Sequence, residues 1–369
     1  MVGKRVHVII DRPLGSVHPE HGNITYEVNY GYIPGIIGGD GEEQDAYVLG
    51  VDNPIKEFDG VVIAIIHRRN DNEDKWIVAS EGSHFSDEEI IKKIYFQEKH
   101  FDISIIGKMK KTLIKNIPEP LPRDIERIIL GAPIYDSSSS SEARVYFIDR
   151  DGGYYLKTAN GGALKKEAEM TRYLHSLGLG AEVLAYESGE RDLLLSSRVV
   201  GEDCTHAVYI SNPRRLASTV GENLRMLHET DFSGCPVMDR NSDYLATAER
   251  NYRTGNYDKT AFPDSFGYRS ADEAWAVLEY GRRSLTGHVL LHGDYCLPNI
   301  MLDKWRLSGF IDVGCGGVGD RHIDLFWGVW SLWFNLKTNE YRDRFLDAYG
   351  RDTVNEDILK TVAAAEVFG

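Results

Sequence analysis

Cysteine is scarce and scattered in this chain: Cys204, Cys235, Cys296 and Cys315 are the four in 369 residues. No CxxC pair and no Cys/His run with metal-ligand spacing occurs, which argues against a zinc site. Basic residues are in deficit too, 42 Lys and Arg against 57 Asp and Glu, for a net charge of −15. Recognition of nucleic acid needs clustered Lys and Arg to neutralise phosphates, so nucleic acid is not expected as a partner. An acidic surface would instead help attract a polycationic ligand. No apolar run reaches the length of a membrane span. The short one near the N-terminus meets Asp11 and Arg12 at once and reads as a strand, not a signal peptide. The expectation is a cytoplasmic protein with no membrane partner. Internal repeats are missing, and the one low-complexity tract is Ser137–Ser141.

What is present is the composition of a folded protein, 42% apolar and 27% charged, in a chain long enough for two domains. Residues 1–107 read as mostly β. Strand-like runs cover Val6–Ile10, Ala46–Val51, Val61–Ile66 and Trp76–Ala79, separated by Gly, Pro, Asn and Asp. A helix-like stretch over 87–100 carries Ile90, Ile91, Ile94 and Tyr95 at helical spacing. Short strands closed by one helix suggest a small barrel. From Gly107 the texture changes to a Lys-rich segment and then Ile117-Pro-Glu-Pro-Leu-Pro, where no helix can run. Met109 reads as the start of a once free-standing unit joined behind the barrel. The fold expected is therefore α+β and multidomain, an OB-like barrel over 1–107 followed by a bilobal, protein-kinase-like domain over 108–369. Its N-lobe would run to about residue 197 and its C-lobe from about 198.

The kinase reading rests on one constellation. An apolar strand runs into His292-Gly293-Asp294, the following loop carries Asn299, and Ser308-Gly-Phe-Ile-Asp312 comes next. Phosphoryl transfer needs one carboxylate to orient and deprotonate the attacking hydroxyl, and an Asn and an Asp to hold Mg²⁺ against the phosphates. Asp294, Asn299 and Asp312 stand in that order, with Gly293 where protein kinases have Arg. Upstream, 143–149 and 154–158 read as a hairpin turning at Arg150-Asp-Gly-Gly153, and Lys157 sits on its second strand, suited to the α- and β-phosphates. The next segment, 164–177, has Leu164, Ala168, Thr171 and Leu174 on one helical stripe, with Glu167 beside it and able to pair with Lys157. Before the hairpin, Ser137–Ser141 reads either as a linker or as a loop covering phosphates, with Ser141 nearest the strand. Leu193-Leu-Leu-Ser-Ser197 reads as the hinge, where backbone groups near Ser196 and Arg198 would meet adenine. Gly314-Cys-Gly-Gly-Val-Gly319 fits a dinucleotide fingerprint, but too little chain follows for further βαβ units.

On His292-Gly-Asp-Tyr-Cys-Leu-Pro-Asn-Ile-Met301, Gly309-Phe-Ile-Asp312-Val-Gly, Gly319-Asp-Arg-His-Ile-Asp324, Cys235-Pro236 and Ala365-Glu-Val-Phe368, the second part resembles aminoglycoside 3'-phosphotransferases. The resemblance implies ATP and Mg²⁺ as cofactors and an amino-sugar hydroxyl as acceptor. It makes Asp294 the base, Asn299 and Asp312 the metal ligands, and Lys157 with Glu167 the phosphate-orienting pair. Tyr155 would stack on adenine, Asp320 and Asp324 would brace the loop, and Glu366 and Phe368 would meet the acceptor. Two positions depart from that family. Cys315 stands where an Arg is usual, and Phe334-Asn335 stands where acidic residues usually meet the drug's ammonium groups. A kinase for another sugar or an amino alcohol is the alternative those departures favour.

In the first part, Tyr26-Glu-Val-Asn29-Tyr-Gly-Tyr-Ile-Pro34 and Asp40-Gly-Glu-Glu-Gln-Asp45 resemble the soluble family I inorganic pyrophosphatases. Glu42 and Glu43 replace Asp and Pro of their signature. That resemblance implies Asp40, Asp45, Asp71 and Asp74 as metal ligands and Tyr30 in a phosphate pocket, with pyrophosphate as substrate. The stretch between Pro13 and Tyr26 is shorter than in that family. It lacks the basic phosphate-binding segment, for which Arg12, Arg68, Arg69 and Lys75 are the substitutes at hand. Two readings follow: a bifunctional enzyme, or a kinase carrying a non-catalytic metal- or phosphate-binding module that aids oligomerisation.

Overall fold

Strand β1 (Arg5–Arg12) alternates as a half-buried strand must: Val6, Val8 and Ile10 point inward while their neighbours meet solvent. The computed structural model describes residues 4–369 apart from 19–21, 23, 69–70, 72, 81–82, 84, 86, 102, 109–111, 115, 139–142 and 258–266. Within it the chain forms two compact units, residues 1–122 with 129–149, and 123–128 with 150–369.

In the first unit β1 pairs with both β2 (Asn29–Ile37) and β4 (Glu57–Arg68). Strand β2 pairs with β3 (Glu43–Val48), β3 runs parallel to β5 (Asp74–Ala79), and β5 returns to β4. The circuit closes a five-stranded barrel, and β6 (Ile103–Lys108) adds to the edge of β4. Closure leaves no open strand edge within the ring. Helix α1 (Asp87–Glu98) buries Ile90, Ile94 and Phe96 against Tyr26, Tyr47 and Ile66.

The barrel was expected from four strand-like runs; β2 and β6 are additional. Strand β2 is hidden in the sequence by Gly31, Pro34 and Gly35, which ordinarily break strands. Gly31 is there because a Cβ would stand 1.9 Å from the Ile9 carbonyl oxygen, so β1 and β2 can approach only over a bare Cα. Strands β7 (Thr112–Ile114), β8 (Ile134–Asp136) and β9 (Arg144–Ile148) complete this unit as an antiparallel series. The intervening α2 (Arg123–Ile129) belongs to the second unit in all but its last residue.

The second unit opens with β10 (Tyr154–Asn160), α3 (Lys165–Ser176), β11 (Val183–Ser188) and β12 (Arg191–Ser197), with β12 antiparallel to both other strands. Helix α3 buries Ala168, Met170 and Leu174; Thr171, expected on that stripe, instead bonds back to the Glu167 carbonyl at 2.7 Å. After β13 (Glu202–Asp203) and α4 (Ala207–Ile210) the chain becomes mostly helical.

Helix α5 (Pro213–Glu229) starts with Pro at its first turn and buries Leu216, Val220, Leu224 and Leu227 along one stripe. Burying four such side chains stabilises by roughly 1.5–3 kcal/mol each, and this helix anchors the larger core. Helices α6 (Arg240–Thr254) and α7 (Ala271–Gly281) lead to β14 (Val289–Leu291), β15 (Ile300–Asp303), β16 (Arg306–Phe310) and β17 (Gly317–Gly319). The chain then closes with α8 (His322–Leu336), α9 (Arg342–Tyr349) and α10 (Glu356–Glu366). Strand β14 pairs with β17 and β15 with β16. The loops joining these four short strands carry the polar residues the sequence singled out. No helix among the described residues is long and apolar enough to cross a membrane.

Candidate active site

The loop between β14 and β15 is held from below by one carboxylate. Asp324, fully buried at the start of α8, accepts the backbone N–H of His292 at 2.8 Å and of Gly293 at 2.7 Å. His228 on α5 also bonds Asp324, at 3.1 Å, and is tied on its other nitrogen to Tyr349 at 2.8 Å. Burial lowers the His228 pKa although Asp324 pulls it up, so the ring is neutral at neutral pH. Farther along α8, the Ser331 hydroxyl accepts the Leu297 N–H at 2.9 Å. Gly293 adopts φ +84° and lies so close to Cys315 that a Cβ would sit 1.9 Å from its carbonyl oxygen. That crowding explains why this position cannot carry the arginine found in protein kinases.

On this platform Asp294 is fixed by its neighbour. Asn299 Nδ2 donates to the Asp294 backbone oxygen at 3.0 Å and to its Oδ2 at 2.9 Å. The amide therefore spends its donors on Asp294 and presents its oxygen elsewhere. Asp312, just beyond β16, takes the left-handed conformation at φ +57°, one that Asp tolerates better than most residues. Lys157 on β10 reaches it: the ammonium donates to Asp312 Oδ1 at 2.8 Å and to Glu167 Oε2, in the first turn of α3, at 2.7 Å. Burial works against the Lys157 charge, but the two carboxylates outweigh it and hold its pKa above the ordinary value. Burial likewise pushes Glu167 upward, against the pull of Lys157. The structure thus brings Lys157, Glu167 and Asp312 into one contact, and Asp294 and Asn299 into another.

The residues expected around adenine are partly gathered. Tyr155 on β10 stands opposite Ser196 on β12, and the Arg198 N–H bonds the Gly153 carbonyl at 2.9 Å. The Arg198 guanidinium turns away to the Gly201 carbonyl at 3.1 Å. Ser141 lies outside the described residues. Asp320 braces the turn before β14 rather than the loop itself, accepting the Gly287 N–H at 2.8 Å.

At the acceptor end, Glu366 closes α10 and its Oε1 accepts the Tyr244 hydroxyl at 2.7 Å and the Trp327 indole N–H at 3.1 Å. Burial pushes its pKa up to about 7 against those two hydrogen bonds and the charge of Arg240, with Asp294 adding to the rise. Phe368 does not present itself to a ligand. It is 0% exposed, packed among Tyr252, Tyr257 and Trp275, and is a core residue. Tyr244, Trp327, His228, Ser331 and Arg240 were not singled out from the sequence. Of these only Ser331 carried a signal, standing seven residues after Asp324 and so on the same helical face. Arg240 donates through Nε to the Cys315 carbonyl at 2.7 Å, setting a cation beside the position where the resembling family has its arginine.

The barrel does not assemble the metal centre expected of it. Asp45 accepts from the Tyr30 hydroxyl and from Lys75 Nζ at 2.6 Å, and Lys75 also pairs with Glu73. Asp74 bonds His67 at 2.8 Å, Asp71 bonds Arg68 at 3.1 Å, and Asp40 accepts the Glu42 N–H at 3.0 Å. Arg68 is further locked to Glu98 at 2.6 and 2.8 Å, and Arg12 to Asp11 at 2.7 Å. Tyr30 is buried, with the rings of Tyr26 and Tyr47 tilted against it at 5.4 and 4.8 Å. Arg69 lies outside the described residues. Of the four expected ligands, Asp45 and Asp71 pair with Lys75 and Arg68, Asp74 with His67 and Asp40 with a backbone N–H, and no three His, Cys, Asp or Glu among the described residues meet as a metal-holding group.

Comparison with known proteins bears on the C-terminal region, from residue 136 onward. Residues 136–359 match the Phosphotransferase enzyme family, often written APH. A probable aminoglycoside 3'-phosphotransferase of Lactococcus lactis subsp. lactis (strain IL1403) is 48% identical over 252 residues, 68% of this chain and 96% of that protein. An aminoglycoside 3'-phosphotransferase of Niallia circulans is 30% identical over 174 residues, 47% of this chain and 66% of that one. Among solved structures, an aminoglycoside-3'-phosphotransferase of type VIII superposes with a TM-score of 0.55 at 27% identity, covering 63% of this chain and 91% of that one. The C-terminal region therefore has the kinase-like fold of these enzymes.

Proposed function

The chain belongs to the phosphotransferase enzyme family, and from that premise we propose that it transfers the γ-phosphoryl group of ATP to a hydroxyl of an aminoglycoside. The observation that carries this reading is the double contact of Lys157 with Glu167 and Asp312, set beside an Asp294 oriented by Asn299.

Each residue then has one task. Lys157, charged and held by Glu167, orients the α- and β-phosphates. Asp294 receives the proton of the acceptor hydroxyl as its oxygen bonds to the γ-phosphorus and the bond to the bridging oxygen breaks, leaving ADP. Asn299 keeps one Asp294 oxygen engaged, so the other faces the acceptor. The oxygen of Asn299 and the carboxylate of Asp312 are hard donors and fit Mg²⁺, which needs one or two protein oxygens besides phosphate and water. Held by Asn299 and Asp312, the ion would supply positive charge against the phosphates. Tyr155 and the backbone near Ser196 and Arg198 form the adenine side. Glu366 supplies negative charge for an ammonium of the acceptor.

The test is ADP release by the full chain with ATP and Mg²⁺ against kanamycin, neomycin, simple sugars and choline. Stimulation by kanamycin or neomycin supports the reading. Stimulation only by a sugar or by choline keeps the phosphotransfer and removes the antibiotic. For the barrel we infer a non-catalytic role, because Asp45, Asp71 and Asp74 turn to three different partners, Lys75, Arg68 and His67, and do not converge as a ligand set among the described residues.

A further inference from the structure

One cation beside the reaction site is left without a carboxylate among the described residues. Arg240 opens α6, half-buried, and its Nε donates to the Cys315 carbonyl at 2.7 Å. Its two terminal nitrogens make no hydrogen bond and no ion pair among the described residues. The acids nearest to it in sequence are spent elsewhere. Asp239 accepts the Ser242 N–H at 3.0 Å and the Ser242 hydroxyl at 2.6 Å, and Asp243 pairs with Lys166 at 2.8 Å. Glu366 feels the Arg240 charge, yet its Oε1 is taken by Tyr244 and Trp327, and burial still lifts its pKa to about 7. A guanidinium beside a reaction site ordinarily turns its fork to a carboxylate or a phosphate.

The side chain is held in place from several sides. Asn241 fastens the first turn of α6: its Oδ1 accepts the Asp320 N–H at 2.7 Å, and its Nδ2 donates to the Leu285 and Gly287 carbonyls at 3.2 and 3.3 Å. A Cβ on Gly319 would stand 3.3 Å from that of Arg240, so β17 and α6 pack closely there. The Tyr244 ring centre lies 5.6 Å from the guanidinium carbon. The carbonyl that Arg240 grips comes three residues after Asp312, and a Cβ on Gly293, the residue before Asp294, would meet the same oxygen at 1.9 Å. The guanidinium is therefore anchored where the loop of the base touches the loop of Asp312. Burial raises the Cys315 thiol pKa, and the charges it feels next are those of Arg240, Asp294, Asp312 and Glu366, four groups around one residue.

Resting on the phosphotransfer reading above, we propose that Arg240 is a further catalytic residue, whose free guanidinium N–H groups bind the phosphoryl oxygens as the group passes from ATP to the acceptor. Negative charge spreads over those oxygens in the transition state, and a planar fork can meet two of them at once. The Nε bond to Cys315 fixes the plane beforehand, and the absence of a carboxylate partner leaves no ion pair to break when the phosphates arrive. The cation reaches the site from α6, while the backbone of Cys315, at the position where an arginine is usual, serves as its anchor.

The test uses the full chain with Mg²⁺. Arg240→Ala is expected to lower kcat for ADP release with ATP and kanamycin by about 10²–10³, with KM for ATP and for kanamycin moved by less than about threefold. Calorimetry separates this from a merely structural role. ADP with aluminium fluoride, which mimics the group in transfer, should bind the wild type more tightly than ADP alone. In Arg240→Ala that gain should shrink about tenfold or more, while ADP alone binds as it does to the wild type. Arg240→Met keeps the stem, loses the cation and serves if the alanine variant fails to fold. A kcat within about threefold of the wild type, or an undiminished gain with aluminium fluoride, would overturn the assignment. Kanamycin that leaves ADP release unstimulated retires the aminoglycoside reading instead; the slow release of ADP onto water then reads Arg240, and the same fall in the variant keeps it.

Discussion

At the scale of single residues, the active-site reading turns on which side chains face one another across long sequence separations. Lys157 and Asp312 lie 155 residues apart and meet at 2.8 Å. Both were legible, since an isolated lysine in an apolar strand and an Asp ending another are rarely placed there by packing alone. Glu167 was legible for a different reason: helical spacing put it beside the buried stripe of α3. Phe368 was carried over from the resemblance at Ala365–Phe368, and that likeness did not show that three aromatic partners from α6, α7 and the segment between them enclose it. Asp294→Ala is expected to lower turnover by about 10²–10⁴ through loss of the base, with the thermal melt little changed; wild-type ADP release from that variant would remove Asp294 from its role. Glu366 gives a pH signature. Its folded pKa lies near 7, above the ordinary carboxylate value, so the folded state holds its proton more tightly than the unfolded chain does. Its contribution therefore falls as pH rises from about 4.5 to about 7 and stays low above that. Glu366→Gln should consequently match the wild type near pH ~4 and exceed it near pH ~8 by about 1–3 kcal/mol in chemical denaturation. An equal difference at both values would show that the carboxyl is not perturbed.

At the scale of elements, the loop carrying Asp294 is a strand-to-strand connection whose shape is imposed by α8. The sequence displayed the loop and its two flanking strands. That Asp324 braces the loop was expected from the resemblance alone; that it does so by accepting two consecutive backbone N–H groups is not displayed by residue type. Replacing Asp324 by Ala strands both N–H groups in a buried site, each at roughly 1–3 kcal/mol, and leaves His228 without its partner. The expected result is a loss of about 3 kcal/mol or more in urea denaturation together with loss of ADP release. A variant of wild-type stability would mean that the loop holds itself. The missed strand β2 teaches the complementary point. Gly31 and Pro34 forbid a strand by propensity, yet the approach of β1 requires a bare Cα at Gly31, and barrel closure decides the outcome.

At the scale of the whole molecule, composition changes texture near residue 107, whereas the compact units divide after residues 122 and 149. A small barrel was expected from four strand-like runs, and β2 completes its ring of five. What residue identity alone could not give was the electrostatic state of that barrel. The resemblance made Asp45, Asp71 and Asp74 metal ligands, whereas Lys75, Arg68 and His67 engage them in the fold. The full chain with Mg²⁺ and pyrophosphate is accordingly expected to release no phosphate above background; steady release abolished by Asp45→Asn would restore a catalytic barrel.

The most direct measurement is mass spectrometry of kanamycin after incubation with the full chain, ATP and Mg²⁺, run in parallel with Asp294→Ala. Kanamycin gaining one phosphoryl group with the wild type, and remaining unmodified over the same time with the variant, is the expected result. Unmodified kanamycin in both reactions, with ATP intact, would contradict the assignment of this chain as an aminoglycoside kinase.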